Sequence, residues 1–190
     1  FAVGYTAATT VALKSAVSTD VITNSADLAM TVDATSASAV TAAMTITGDA
    51  TTLNDAIIMT AGAPTVGTTG DDGAAVFTNV TNVNSVTLRK GADAGDDVTL
   101  DLGSYATKLT IDASALNVAS TTNAAGTSVA DTADAMLNLT ASSATKDLTV
   151  TATSGWDIIA AGQANDTYTL GLGNDSITFA SGKLSNLDTV

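Results

Sequence analysis

The chain of 190 residues contains no cysteine, no histidine and no glutamate. Without cysteine there is no disulfide framework, and without histidine most metal-ligand and general-base chemistry is excluded. All 19 acidic residues are aspartate, which belongs at turns and caps, whereas glutamate is a good helix former. The complete absence of glutamate therefore argues against a helix-rich protein.

Basic and aromatic residues are also scarce. Six lysines and arginines against 19 aspartates give a net charge of −13, which disfavours nucleic acid and anionic membranes as partners. No apolar run approaches the roughly 18 residues of a transmembrane helix, so no membrane insertion is expected. Nothing singles out a catalytic pair among the aspartates, and few aromatic rings are present to stack on sugars. We therefore expect that the chain is not an enzyme.

A short strand signal recurs along the chain, in which one polar residue stands between two apolar ones. Its spacing is about eleven or twelve residues in the middle of the chain and nine near the end, which fits the coils of a β-solenoid better than a helical array. Such triplets occur at 30–32, 44–46, 86–88, 98–100, 109–111, 137–139, 148–150, 168–170 and 177–179.

Two successive nine-residue blocks, 161–169 and 170–178, align residue by residue. The preceding block, 152–160, keeps the same frame. The shared places are a turn glycine (Gly155, Gly162, Gly171 and Gly173), an aspartate at the sixth place (Asp157, Asp166 and Asp175) and an apolar residue at the eighth (Ile159, Tyr168 and Ile177).

The residue types in this frame suit a calcium site. Glycine permits tight turns with positive φ, and aspartate supplies the hard oxygen ligands that Ca²⁺ requires. The apolar eighth residue lies on a short strand and faces the core. Successive turns fall on opposite edges, so an ion is shared between blocks two repeats apart. This places the best site between the turns 154–157 and 171–175, while Asp166 has no clear partner because Asp147 and Asp188 are out of frame. Trp156, beside the proposed ligand Asp157, is interpreted as a core or cap residue.

At these residues the chain resembles the RTX family of calcium-binding exported proteins, and within it the bacterial surface-layer proteins. The resemblance covers residues 152–178, although Thr153 and Ala164 stand where the family has glycine. It implies a right-handed parallel β-roll, Ca²⁺ as the bound ion and folding when external calcium is met. It also implies export by a type I secretion system to the outside of a Gram-negative cell. The metal ligands it implies are Gly155, Asp157, Gly162, Asp166, Gly171, Gly173 and Asp175.

Two other stretches keep the frame loosely. Residues 91–99 have Asp96 at the sixth place and Val98 at the eighth, so Asp96 is a further candidate calcium ligand. Residues 50–58 keep only Asn54, Asp55 and Ile57. We interpret both stretches as decayed or lookalike copies.

These features predict an all-β protein, a right-handed parallel β-solenoid with calcium-binding turns near the carboxyl-terminal end. Residues 1–150 form a strand-rich, solenoid-like region with loop insertions near 61–73 and 117–134, and residues 151–190 form the β-roll repeats. A domain boundary in the second insertion, or a separate sandwich in the first region, remains an alternative. Because Phe1 is not a start methionine, we expect a piece of a longer protein.

The function expected from these observations is structural. The chain is a segment of a calcium-dependent surface-layer protein that associates with itself into an extracellular lattice, and any contact with cell-surface polysaccharide is expected through another region. One alternative is an RTX adhesin, or the calcium-binding secretion or stabilising module of a secreted enzyme. Another is a calcium-independent binding module of β-solenoid type.

Overall fold

The computed structural model describes residues 2–3, 7–13, 21–25, 27–34, 39–40, 44–51, 54–60, 73–89, 98–116 and 136–190. Within these ranges the chain forms 17 β-strands and no helix. No helical segment able to span a membrane is therefore found in this part of the chain.

Most of the strands are short, between two and five residues. In chain order they are β1 (Ala2–Val3), β2 (Thr9–Ala12), β3 (Val21–Asn24), β4 (Met30–Ala34), β5 (Ala39–Val40), β6 (Thr45–Thr47), β7 (Ala56–Thr60), β8 (Gly73–Val76), β9 (Val80–Thr81), β10 (Ser85–Arg89), β11 (Val98–Asp101), β12 (Leu109–Ala115), β13 (Leu137–Thr140), β14 (Leu148–Thr151), β15 (Ile158–Ala160), β16 (Thr167–Thr169) and β17 (Ser176–Thr178).

The strands form three sheets, and every pairing within them is parallel. Sheet A has the order β1-β3-β6-β9, sheet B the order β2-β4-β7-β10-β12-β14-β16, and sheet C the order β5-β8-β11-β13-β15-β17. Consecutive strands of the chain always belong to different sheets. From β3 to β11 the chain visits sheets A, B and C in turn, and after β11 it alternates between B and C only.

The core consists of apolar side chains stacked in register from layer to layer. In sheet C, Leu100 lies opposite Leu139, Leu139 opposite Ile159, and Ile159 opposite Ile177. In sheet B the equivalent column contains Val32, Ile57, Val86, Ile111, Val150 and Tyr168, all of them buried. Threonines between these residues face outward, as at Thr110 and Thr149, because successive strand residues point to opposite faces.

The predicted triplets agree closely with the observed strands. All nine coincide with strands to within one residue; β6 begins at Thr45, one residue after the predicted Met44. The expected all-β class with stacked parallel strands is confirmed. Residues 61–72 and 117–134, the predicted insertions, lie outside the described residues, but Gly73 is the first residue of β8 and not part of a loop. The predicted change of region after residue 150 falls inside β14, whose neighbours on both sides continue sheet B.

Candidate metal centre

The two bends predicted to share an ion lie directly against each other. Strand β15 pairs with β17 so that Ile158 lies opposite Ser176, which places Asp157 opposite Asp175. The N–H of Asp157 donates to Oδ1 of Asp175 over 3.0 Å. The N–H of Ser176 donates to the carbonyl oxygen of Asp157 over 2.8 Å. The eighteen residues that separate Asp157 from Asp175 in the sequence thus carry the chain from one layer of sheet C to the next.

Glycine is required at two places of the later bend. Gly171 has φ 89° and Gly173 has φ 120°, a region in which residues with a side chain are strained. A Cβ at Gly171 would overlap the carbonyl oxygen of Thr153, and one at Gly173 would overlap the carbonyl oxygen of Gly155. The two glycines therefore let the later bend approach the carbonyl oxygens of Thr153 and Gly155 closely.

The other two frame glycines have a different role from the one expected. In the described chain the glycines with positive φ are Gly103, Gly171, Gly173 and Gly182, so Gly155 and Gly162 do not adopt the expected conformation. Gly162 is needed for space, because a Cβ there would lie 2.7 Å from Oδ2 of Asp166. Thr153 occupies a position of the nine-residue frame where the family has glycine, and it too does not have a positive φ.

Asp157 is fully buried and its carboxylate accepts hydrogen bonds from protein groups. Oδ1 accepts from the N–H of Leu137 at 2.8 Å and from the hydroxyl of Thr153 at 2.9 Å, and Oδ2 accepts from the N–H of Thr153 at 3.1 Å. Burial raises the pKa of Asp157 to about 6; the charge of Asp175 adds to the rise, and the bonds from Leu137 and Thr153 oppose it. The bend therefore holds a carboxylate whose negative charge is unfavourable unless it is compensated.

The hydroxyl of Thr153 connects two other residues of this bend. Besides donating to Asp157, its hydroxyl oxygen accepts a hydrogen bond from the N–H of Gly155 at 2.9 Å. Trp156, expected in the core or as a cap, is 48 % exposed and so does not belong to the core. Its indole therefore lies on the outside of the bend, next to the buried Asp157.

Asp166 occupies the opposite edge, at the start of a layer of sheet B. Its Oδ1 accepts from the N–H of Leu148 at 2.9 Å and its Oδ2 from the hydroxyl of Tyr168 at 3.1 Å. The same hydroxyl accepts a hydrogen bond from the N–H of Gly162 at 3.0 Å. Burial raises the pKa of Asp166, the charges of Asp188 and Asp147 add to the rise, and the bonds from Leu148 and Tyr168 oppose it.

The expectation that Asp166 lacks a carboxylate partner is wrong. Its N–H donates to Oδ1 of Asp188 over 2.8 Å, and Thr167 forms a parallel bridge with Thr189. The pKa of Asp188 is lowered by the N–H groups of Asp166 and Ser185. Asp188 is therefore the equivalent of Asp175 on this edge, although four extra residues remove it from the nine-residue count.

The sequence did not reveal the hydrogen-bonding role of an aspartate placed immediately before a strand. Such an aspartate accepts the N–H of the residue opposite it in the preceding layer. A simple sequence pattern marks four of the five positions: aspartate, then a small residue, then a large apolar or aromatic residue. The aspartates that behave in this way are Asp55, Asp157, Asp166, Asp175 and Asp188.

The remaining candidate ligand, Asp96, lies outside the described residues. In the described ranges no group of three or more aspartates converges as a ready-made metal site. Any ion at the bends would therefore take main-chain oxygens as well as carboxylates. In comparisons with protein-family models, curated proteins and solved structures, the chain matches none of them.

Proposed function

We propose that this chain is a structural segment of a calcium-dependent surface-layer protein of the RTX type. In this proposal the parallel sheets are the faces of a right-handed β-solenoid, and Ca²⁺ binds between the stacked carboxyl-terminal bends. The observation that carries it is the direct contact of the bends 154–157 and 171–175, which brings together Asp157, Asp175 and two main-chain carbonyl oxygens.

The groups at this contact fit a calcium ion. Ca²⁺ takes six to eight oxygen ligands and accepts carboxylates, carbonyls and water. Oδ2 of Asp175 accepts no hydrogen bond from the described residues, since the single bond to this carboxylate is made at Oδ1. We assign as ligands the Asp175 carboxylate with the carbonyl oxygens of Thr153 and Gly155, and Asp157 as the second negative charge. Water would complete the coordination.

The electrostatics of the bend favour a cation. Burial raises the pKa of Asp157, and repulsion from the Asp175 carboxylate in the adjacent bend raises it further. A divalent cation compensates both charges. An ion that binds only the folded state adds about 2.7 kcal/mol of stability at a hundredfold excess over Kd.

Asp166 and Asp188 provide a second site of the same kind at the opposite edge. Their contact repeats that of Asp157 and Asp175, and Asp147 lies close enough to accept the N–H of Asn165 at 3.4 Å. Two sites on opposite edges would connect successive layers of both sheets B and C. Calcium binding is then coupled to the stacking of the whole carboxyl-terminal part.

The proposed location is the bacterial cell surface, after export by a type I system, and the proposed partner is the chain itself. A net charge of −13 causes self-repulsion in the absence of cations, and calcium would remove part of it. Exposed apolar side chains lie at and near the bends, at Trp156, Ile158 and Leu172. Such side chains support self-association once the charge is reduced.

Calcium titration with two readouts tests the site. Trp156 is the only tryptophan and lies beside Asp157, so its fluorescence should change on calcium binding, together with a gain of β-signal in circular dichroism. Asp175→Asn should weaken the calcium response at least about tenfold, because a direct charged ligand is lost. Asp112→Asn is the matched control, since within the described ranges its carboxylate accepts hydrogen bonds from the neighbouring Ser114 alone. An unchanged response in Asp175→Asn would contradict the proposal.

Negative-stain microscopy tests the lattice. Ordered two-dimensional sheets that form with calcium and disperse with chelator support the surface-layer role. Calcium binding without assembly at high protein concentration would favour an adhesin, or the secretion module of an enzyme. A fold and oligomeric state that ignore calcium would favour the calcium-independent binding module.

A further inference from the structure

A buried aspartate in the amino-terminal half forms a corner between sheets A and B. Asp55 lies just before β7 and is fully buried. Its Oδ1 accepts from the N–H of Met30 at 2.7 Å and from Nδ2 of Asn24 at 2.9 Å. Its Oδ2 accepts from the N–H of Asp49 at 2.5 Å and from the same Nδ2 at 3.1 Å. Each carboxylate oxygen thus has two donors.

This corner connects three successive layers of the chain. Asn24 ends β3 and Met30 begins β4, and both lie in the layer before Asp55. Asp49 follows β6 and lies in the same layer as Asp55. The carbonyl oxygen of Asp55 accepts the N–H groups of Asn84 at 2.9 Å and Ser85 at 3.2 Å, in the layer after it. One residue therefore fixes the relative position of strands from all three layers.

Gly48 and Asn82 close the corner from the side of sheet A. A Cβ at Gly48 would lie 2.6 Å from Oδ2 of Asp55 and would overlap the carbonyl oxygen of Asn82. Asn82 has φ 57°, and its Nδ2 donates to the carbonyl oxygen of Gly48 at 3.2 Å. The main chain at Gly48 therefore packs directly against both Asp55 and Asn82.

We infer that the Asn24–Asp55 corner is a cation-independent clamp that holds the amino-terminal layers in register. Both oxygens of the Asp55 carboxylate accept main-chain N–H bonds, from Met30 and Asp49, and the Asn24 amide donates to both of them. The side chain bonded to this carboxylate is the neutral amide of Asn24, and the other donors are the N–H groups of Met30 and Asp49. Two other nearby aspartates, Asp27 and Asp49, accept the hydroxyl of Thr51.

This clamp gives the calcium response a defined extent. This expectation rests on the function proposed above. Removal of calcium should loosen the bends of residues 152–178 first and leave the layers around Asp55 folded. The chain then has one part that stays folded without calcium and another part whose folding depends on calcium. The sequence does not distinguish them, since residues 50–58 read as a decayed copy of the calcium frame.

Thermal unfolding of Asp55→Ala and Asp55→Asn, with chelator and with millimolar calcium, tests the clamp. Both variants should lower the Tm by roughly 6–12 °C in either solution. In Asp55→Ala the N–H groups of Met30 and Asp49 both lose their acceptor, and in Asp55→Asn one of them faces an NH2 group in its place. Asn24→Ala should give a smaller loss, again equal in both solutions. Asp112→Ala should change the Tm little, because the Asp112 carboxylate bonds to the exposed Ser114 beside it.

If the Asp55 variants fail to fold, amide hydrogen exchange of the wild-type protein tests the clamp in their place. The amides of Met30 and Asp49 should be protected in chelator as strongly as in calcium. Protection that appears only with calcium, or an Asp55→Ala loss confined to calcium-containing solution, would overturn the clamp and make Asp55 a cation ligand. If instead the wild type shows no calcium response anywhere, the proposed function fails while an unchanged Asp55→Ala loss still supports the clamp.

Discussion

Asp157 and Asp175 are stacked in successive layers of sheet C, with the N–H of the first bonded to the carboxylate of the second over 3.0 Å. The earlier carboxylate is buried, whereas Asp175 is only partly buried. The layers of this part of the protein therefore meet through like charges, and its stability should respond to anything that neutralises them.

Acidification should stabilise the calcium-free protein. The pKa of Asp157 is raised to about 6 in the folded state, by burial first and then by Asp175, against about 3.9 in an unfolded chain. The folded state binds the proton more tightly, so stability is gained as pH falls from about 7 through 6 toward 4, and is lost as pH rises through that window. The Tm in chelator at about pH 7.5, 6 and 5 measures this gain.

Asp157→Asn serves as the control for this pH dependence. The amide cannot ionise, so the rise of Tm on acidification should shrink, leaving the part due to Asp166, whose pKa is raised in the same direction. A wild-type Tm that stays constant or falls between neutral pH and about pH 5 would show that Asp157 does not limit stability.

Gly173→Ala should strongly destabilise the last bend. Its φ of 120° is unfavourable for alanine, and the added Cβ would overlap the carbonyl oxygen of Gly155. We expect a loss of about 2–4 kcal/mol in urea unfolding. Gly182→Ala is the comparison, because Gly182 also has positive φ, 72°, but its Cβ would meet no atom within 4 Å. It should lose only about 1–2 kcal/mol. Equal losses would mean that backbone conformation alone, and not contact between the bends, requires glycine.

The adjacent isoleucines of β15 provide a matched pair for the core. Ile159 is 1 % exposed and Ile158 is 43 % exposed, so the same substitution samples opposite faces of the strand. Ile159→Ala should cost about 2–5 kcal/mol, and Ile158→Ala less than about 1 kcal/mol. Equilibrium unfolding measures both. The reverse order would indicate that β15 presents its other face to the core.

Tyr168→Phe should destabilise the protein more at neutral pH than at about pH 5. The lost hydroxyl accepts the N–H of Gly162 and donates to Asp166, so its removal costs about 1–3 kcal/mol. The bond to Asp166 also opposes the rise of that residue's pKa, so without it the charged form is disfavoured further.

Tyr105→Phe provides the comparison for Tyr168→Phe. The hydroxyl of Tyr105 accepts from the N–H of Val83 and donates to the carbonyl oxygen of Val83, and its side-chain partner is the neutral Thr107. Its loss should be similar in size but independent of pH between about 5 and 7. A pH-dependent loss in both variants would point away from Asp166 as the cause.

The sequence predicted the strands wherever an apolar–polar–apolar triplet was present, because burial on one face of a strand imposes that alternation. It did not predict β8, whose Gly73 and alanines look like a loop but pair with β11 in register. Tertiary pairing here overrides a weak local preference. Nor did it predict three sheets, since nothing in a triplet specifies which sheet receives it.

The candidate site was predicted in part for a similar reason. Counting by nine placed Asp157 beside Asp175, because no residue is inserted between them in the repeat. The same count separated Asp166 from Asp188, since a loop lengthens the connection without changing the register of the bridge at Thr167 and Thr189. The protein donors to the carboxylates, such as the hydroxyls of Thr153 and Tyr168, depend on side-chain orientation that spacing alone does not give.

No two consecutive strands pair with each other in the described chain, and even the nearest partners, such as Ile159 and Ile177, are eighteen residues apart. A hairpin is therefore unavailable as a starting structure, and the first productive contact must close a long loop. Folding should then be slow to nucleate and proceed by adding layers to an existing edge. Synthesis or export of the chain from one end would favour such ordered growth, whereas refolding from denaturant would favour mispaired edges.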